Sequence, residues 1–310
     1  MKKALVLDAG QDMGHHLCQA LVSYQWSVTA AVNDPSQPVS LHHDLTLAEV
    51  TKHDVGLLAQ LIKQTDTIFL HLPESPLTGQ MTFSIDTILS LITKYHRHLV
   101  ITTNQYEREK TRLFSTLFKP KSKPVSIKLP DKLTAQLQQS ADRGASITVI
   151  GCGHNLNLTS RCSYLKLLIK ETHKQLIIQS PSNYGTRHYW TYLPDLAKNI
   201  VHKLSTRPST CPSLDINFYP GHQASMKDIA RCLALSSGKP VSVTNLQWTV
   251  IEVIALFSPL FRQFFRMRIL WQQGGLQPQA SNDWGRKALV HTPLELALQR
   301  SWNNKNNHYP

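Results

Sequence analysis

The sequence predicts an α/β protein built on a doubly wound parallel sheet, and three observations predict it. Short apolar runs alternate with stretches of helical apolar spacing from the N-terminus to about residue 150. A glycine-bearing turn, Asp8-Ala9-Gly10-Gln11-Asp12-Met13-Gly14, joins the first run to the first helical stretch. The helical stretches have the length of crossover connections, which set parallel strands side by side and cover both faces of the sheet.

Taken in order, residues 4–7 (Ala-Leu-Val-Leu) form the first strand. Leu17, Ala20, Leu21 and Tyr24 then recur at helix spacing. Residues 28–32 read as a second strand, closed by the turn chemistry of Asn33-Asp34-Pro35-Ser36. Asp54 opens a helix carrying Leu57, Leu58, Leu61 and Ile62. Residues 67–72 are a buried strand, 81–95 a helix, 98–103 a strand, 132–143 a helix and 146–150 a strand. Residues 107–130 are basic, proline-bearing and weakly periodic, and read as a loop.

After residue 155 the alternation changes. A helix begins near Pro194-Asp195, a strand covers 215–219, and Ser225 with Asp228 forms a near capping box for a helix that Gly238 ends. Residues 248–270 read as a long amphipathic helix or a helix pair broken at Pro259. The expected organisation is a core over 1–155, a mixed substrate-side region with closing helices over 156–302, and a frayed polar tail over 303–310.

Composition narrows the class. With 41% hydrophobic and 17% charged residues, a chain of 310 residues can bury a large core. Five scattered cysteines without a C-x-x-C pair fit free thiols in a reducing compartment, not a disulfide framework or zinc cluster. The apolar run after Lys2-Lys3 stops at Asp8, too soon for a secretory signal, and no apolar window spans a bilayer. A soluble, cytoplasmic protein is expected, with no membrane partner. The net charge of +13 admits an anionic partner, but the basic residues are dispersed. The tightest cluster, Lys119, Lys121, Lys123, Lys128 and Lys132, lacks interleaved aromatics, so nucleic acid is the weakest of the partner readings.

The turn carries the chemistry. A strand–glycine–helix junction lets backbone approach a pyrophosphate and points the unpaired amides and positive dipole end of the helix at it. Gly10 and Gly14 are present, while Asp8 and Gln11 stand at the other usual glycine positions. A carboxylate at Asp8 repels a pyrophosphate, and His15 and His16 lie close enough in sequence to offset it.

From these residues the chain resembles the extended short-chain dehydrogenase/reductases, the Rossmann-type group that includes NAD-dependent epimerases and dehydratases. The segment 6–17 is similar to the family's strand, glycine turn and helix start. His53-Asp54-Val55 resembles the acidic segment that contacts the adenine, and Phe69-Leu70-His71-Leu72-Pro73 the strand ending beside the cofactor. Val100-Ile101-Thr102-Thr103-Asn104 stands where the family's hydroxyl-bearing strand end lies, followed by Tyr106 at a common structural tyrosine. The segments 148–154, 188–197, 217–230 and 293–298 resemble later pieces in the same order.

The resemblance implies a dinucleotide, NAD or NADP, held by Gly10, Gln11, Asp12, Met13, Gly14, Asn33, Asp34, Asp54, Val55 and Leu72. Asn33 and Asp34 without an adjacent basic residue lean toward NAD. It also implies a Tyr-x-x-x-Lys pair, in which a phenol moves the proton and an ammonium lowers its pKa. The stretch read as its counterpart is Lys128-Leu129-Pro130-Asp131-Lys132, with Lys132 at the lysine position and Lys128 where the phenol belongs. Thr103 is the candidate hydroxyl partner and Tyr106 a candidate displaced acid/base. No histidine spacing marks a metal site.

Three functions compete: an NAD(P)-dependent epimerase, dehydratase or reductase; a non-catalytic cofactor sensor or scaffold of the NmrA-like kind; and a nucleic-acid binder. The degenerate pair favours the sensor over the enzyme. A small-molecule substrate and a homodimer are admitted as partners. A substrate pocket is expected over the strand ends beside Leu72, Thr102, Thr103 and Gly153, covered by residues 248–271.

Overall fold

A computed structural model describes residues 1–33, 45–72, 81–104, 129–159, 163–206, 213–266, 268–272 and 290–307. Its first half follows the expected alternation: β1 (Lys3–Val6), α1 (Asp12–Ser23), β2 (Ser27–Val32), β3 (Leu45–Glu49), α2 (Val55–Lys63), β4 (Thr67–Leu72), α3 (Ile85–Tyr95), β5 (His98–Thr103), α4 (Asp131–Asp142) and β6 (Ser146–Cys152).

These strands form one sheet with an added edge strand, β11 (Leu214–Tyr219), in the order β11-β6-β5-β4-β1-β2-β3. Every neighbouring pair runs parallel. Alternate side chains of each strand point to opposite faces, which divides the core in two. Ala4, Val6, Val28, Ala30 and Phe69 pack under α1 and α6 (Leu193–Thr206). Leu5, Leu7, Ile68, Leu70 and Leu99 pack under α2, α3 and α4. This is the Rossmann-type doubly wound sheet that the sequence predicts. The edge strand β11 and the covering helix α6 both come from beyond residue 155, so this core is not confined to the first part of the chain.

The second lobe contains β7 (His154–Asn155), α5 (Tyr164–Leu168), β8 (Ile169–Glu171), β9 (Leu176–Ser180) and β10 (Arg187–Thr191) before α6. After β11 come β12 (His222–Ser225), α7 (Met226–Ser237), β13 (Val241–Asn245), α8 (Trp248–Phe257), α9 (Pro259–Arg266), α10 (Arg268–Gln272) and α11 (Leu294–Asn307). Its strands make two small sheets, β12-β10-β7 and β13-β9-β8. Ser225 and Asp228 form the full reciprocal capping box of α7, and Gly238 closes it in the left-handed region at φ 66°. The helical stretch at 248–272 breaks at Ser258, and Pro259 opens α9, where its missing amide costs nothing.

The lobe is packed around tryptophans. Trp190 and Trp271 are fully buried, and His154 stacks on Trp271 with ring centroids 4.0 Å apart. His188 lies edge-on to the same indole at 5.0 Å and meets the Ser182 hydroxyl at 2.9 Å.

The polar C-terminus departs from expectation. Residues 303–307 continue α11 instead of fraying. Two tertiary contacts hold this helix down: Ser301 Oγ accepts from the Leu158 amide at 2.7 Å, and Lys305 pairs with Glu171 at 2.5 Å. Among the described residues, no helix is long and apolar enough to cross a membrane. Cys18, Cys152 and Cys232 are buried thiols.

Candidate functional site

The turn after β1 is strapped to both neighbouring strands. The Leu7 amide donates to the Phe69 carbonyl of β4, and the Ala9 amide to the Ala31 carbonyl of β2, each at 2.9 Å. The strand order reverses between β1 and β4, so the turn stands at the topological switch point, where ligands of such sheets bind. Helix α1 starts directly above it, so the positive end of its dipole faces the turn.

Gly14 makes this junction possible. A Cβ there would lie 2.7 Å from both the Ala9 Cα and the Asp8 carbonyl oxygen, so only glycine lets α1 sit down on the turn. This is the close helix–strand packing that the last glycine of a dinucleotide-binding turn provides.

Asp8 takes a glycine's place and a glycine-like conformation, with φ at 50°. Aspartate is among the few side chains that tolerate this region. Its buried carboxylate is tied down by Thr82, whose hydroxyl donates to Oδ1 at 2.5 Å and whose amide donates at 3.2 Å. Burial nevertheless raises its pKa above the ordinary carboxylate value, against the opposing pull of the two Thr82 bonds. A cavity with room for about one water lies against this carboxylate, walled by Leu7, Ala31, Val50, Phe83 and Ile88.

The structure distributes the other expected residues unevenly. Gln11 is the residue before α1, Asp12 lies in its first turn, and Met13 is buried beneath it. Asn33 follows β2 and is exposed, while Asp34 lies outside the described residues. Asp54 precedes α2 and accepts from the Thr51 amide at 2.9 Å and the Thr51 hydroxyl at 2.6 Å, bonds that hold its pKa low. Val55 is 42% exposed. The residue after β3 that lines the cavity beside Asp8 is Val50, buried with Leu7 and Ala31.

Leu72 and Thr103 do converge. They are register partners at the ends of β4 and β5, and Thr103 in turn pairs with Gly151 of β6. One residue back, His71 Nδ1 lies 3.0 Å from Thr102 Oγ1. Burial pushes this imidazole down to about 4, with Asp12 pulling the other way. Sequence reasoning passed over His71, although its place at the end of an apolar strand marked it.

Lys132 is exposed near the start of α4. Tyr106 and Lys128 lie outside the described residues. The chain does hold one Tyr-x-x-x-Lys pattern, Tyr106-Glu107-Arg108-Glu109-Lys110, which the comparison with Lys128-to-Lys132 missed. It comes three residues after the end of β5 and shares the place of Tyr106.

Fold and turn together define a Rossmann-type α/β protein with its crevice at the end of β1. No protein-family model and no curated protein matches the chain. Solved structures do. A nucleoside-diphosphate-sugar epimerase from Staphylococcus aureus is similar over 96% of this chain and 100% of its own, with a TM-score of 0.67 and 14% identity. NmrA, a negative transcriptional regulator in complex with NAD, is similar over 99% and 97%, with a TM-score of 0.67 and 11% identity. The triphenylmethane reductase of Citrobacter sp. complexed with NADP(H) follows at 0.61 and 12%, over 97% of this chain and 100% of its own. At these identities the likeness is one of fold.

Proposed function

We propose that the protein binds a nicotinamide dinucleotide, NAD or NADP, across the turn from β1 to α1, and that it uses the nucleotide as a sensor or scaffold does. The observation that carries the binding is the seat of Gly14, which brings the α1 N-terminus onto the switch point of a fully parallel sheet. The pyrophosphate would meet the backbone of Gly10, Gln11, Asp12, Met13 and Gly14, with the ribose beside Asn33 and Asp34 and the nicotinamide end toward Leu72 and Thr103. NmrA structures hold NAD in one case and NADP in another, which supports either nucleotide.

Two features support the sensor over an epimerase or reductase. Lys132 is exposed on α4 and the position a turn before it is a lysine, so the Tyr106-to-Lys110 pattern near β5 is left as the one phenol–ammonium pair of that spacing in the sequence. The turn also carries Asp8 and Asp12, whose charges weaken nucleotide affinity. A bound dinucleotide supplies hydride chemistry in oxidoreductases of this fold; in the sensor reading that chemistry is left idle.

The test is a titration of the full chain with NADH and NADPH, read by nucleotide fluorescence and thermal shift. Gly10→Glu is expected to abolish the signal; a signal unchanged by that substitution overturns binding at the turn. Nicotinamide absorbance with nucleotide sugars should stay constant. Turnover that Tyr106→Phe removes would replace the sensor with an enzyme.

A further inference from the structure

Three metal-ligating side chains, far apart in sequence, meet in the second lobe. Asp195 lies in the first turn of α6, His222 opens β12, and His291 precedes α11. One ligand atom from each lies within 4.8 Å of the other two. Asp195 and His222 are buried, and His291 closes the cluster from the solvent side.

Each ligand is held by its own local structure. Gly221, at φ 54°, makes the tight turn before β12; a Cβ there would collide with the Trp190 carbonyl, so the turn that delivers His222 requires glycine. The segment carrying His291 is strapped to α6 by four hydrogen bonds. The Thr292 amide donates to Asp195 Oδ2 at 2.6 Å and its hydroxyl to Oδ1 at 2.8 Å. One turn on, Asn199 accepts from the Val290 amide at 3.2 Å and donates to the Val290 carbonyl at 2.8 Å.

These bonds orient the carboxylate without exhausting it, because each oxygen has a second lone pair. Outer hydrogen bonds to a ligating carboxylate are how metal sites aim their ligands. The two imidazoles face each other with centroids 4.5 Å apart and planes 40° apart.

We propose that Asp195, His222 and His291 bind one divalent transition-metal ion of the zinc class. Two imidazole nitrogens and a carboxylate suit zinc, cobalt, nickel or ferrous iron, and suit magnesium or calcium poorly. Ligand atoms about 2 Å from a tetrahedral ion lie roughly 3.4 Å from one another, so side-chain rotations of about an ångström close the present spread. Three protein ligands leave a position for water, the pattern of working sites and not of closed structural ones. The ion would pin the 290–292 segment between α6 and β12. The proposed site shares no residue with the β1–α1 turn, so its test needs no dinucleotide.

The test uses the full, tag-free chain without nucleotide. Zn²⁺ retained after dialysis is counted by elemental analysis, and Co²⁺ binding is followed by its visible spectrum. One ion per chain is expected, with a thermal shift upward. His291→Ala, which changes an exposed side chain, should weaken Zn²⁺ binding at least roughly tenfold, whereas His173→Ala, at another exposed histidine, should not. His222→Ala should act like His291→Ala if it folds, and His291→Ala decides the matter if it does not. A wild-type chain that retains no ion, or a His291→Ala chain that binds as well as wild type, overturns the proposal.

Discussion

The Asp8 carboxylate and Thr82 are joined twice, by the threonine hydroxyl at 2.5 Å and its amide at 3.2 Å, although the two residues belong to different crossover units. The pair closes the turn after β1 against the segment leading into α3. It also places a buried acid, in a left-handed backbone conformation, beside the crevice of the sheet.

That burial has a consequence for pH. The folded chain holds the Asp8 proton more tightly than the unfolded chain, whose value is near 3.8. From that value up to the raised native one, the native state binds more protons, so the stability this carboxyl contributes is fullest in acid and falls as pH rises through the window. Asp8→Asn keeps a side chain tolerant of positive φ and removes the charge. Its urea midpoint should exceed the wild type's at neutral pH. A midpoint below wild type there would show that the charged Thr82 bonds outweigh the burial.

Gly14→Ala should destabilise the protein by about 1–3 kcal/mol, the usual cost of overpacking. The new methyl meets two backbone atoms at 2.7 Å, and backbone cannot swing aside as a side chain can. Chemical denaturation measures it; a wild-type midpoint would mean that α1 is not seated as described.

The buried histidines act in the opposite sense to Asp8. Burial lowers His154 to about 3 and His188 to about 4, from an ordinary 6.5. As pH falls below about 6.5 the unfolded chain takes up protons first, so stability present at neutral pH is lost until the native values are reached. His154→Phe keeps a ring against Trp271 and removes the titration. Tryptophan fluorescence should place its acid-unfolding midpoint at lower pH than the wild type's; an unchanged midpoint would rule out His154 as a trigger.

Ser301→Ala tests whether the terminal helix is part of the core. The hydroxyl accepts from the Leu158 amide at 2.7 Å and donates to the Leu156 carbonyl at 3.1 Å, with Ser301 buried. Its loss leaves buried polar backbone without these partners, at a cost of about 1–3 kcal/mol. A melting temperature equal to wild type would show the helix docks without that bond.

The strands β1, β2, β4, β5 and β6 were legible because a strand covered on both faces is apolar throughout, and that signal is local. The sheet-edge strand β3 was not: its five residues are exposed or half-buried, and Leu-Thr-Leu-Ala-Glu has no sustained pattern. The capping box of α7 was readable for the same reason as the strands, since Ser225 and Asp228 act three residues apart. The polar end of α11 misled, because Ser301 and Lys305 are anchored by Leu156, Leu158 and Glu171, which no local window contains.

By itself the sequence determined the alternation of strands and helices up to β6, apart from β3, the parallel class of the sheet and the glycine turn at its first junction. All of these rest on periodicity and turn chemistry within a few residues. Only the tertiary structure decided that Val50 packs beside Asp8, that Asp8 is held by Thr82, and that Asp195, His222 and His291 share one corner. These depend on which distant segments pack together, and a side chain's partners across a crossover leave no mark on the spacing of its own neighbours.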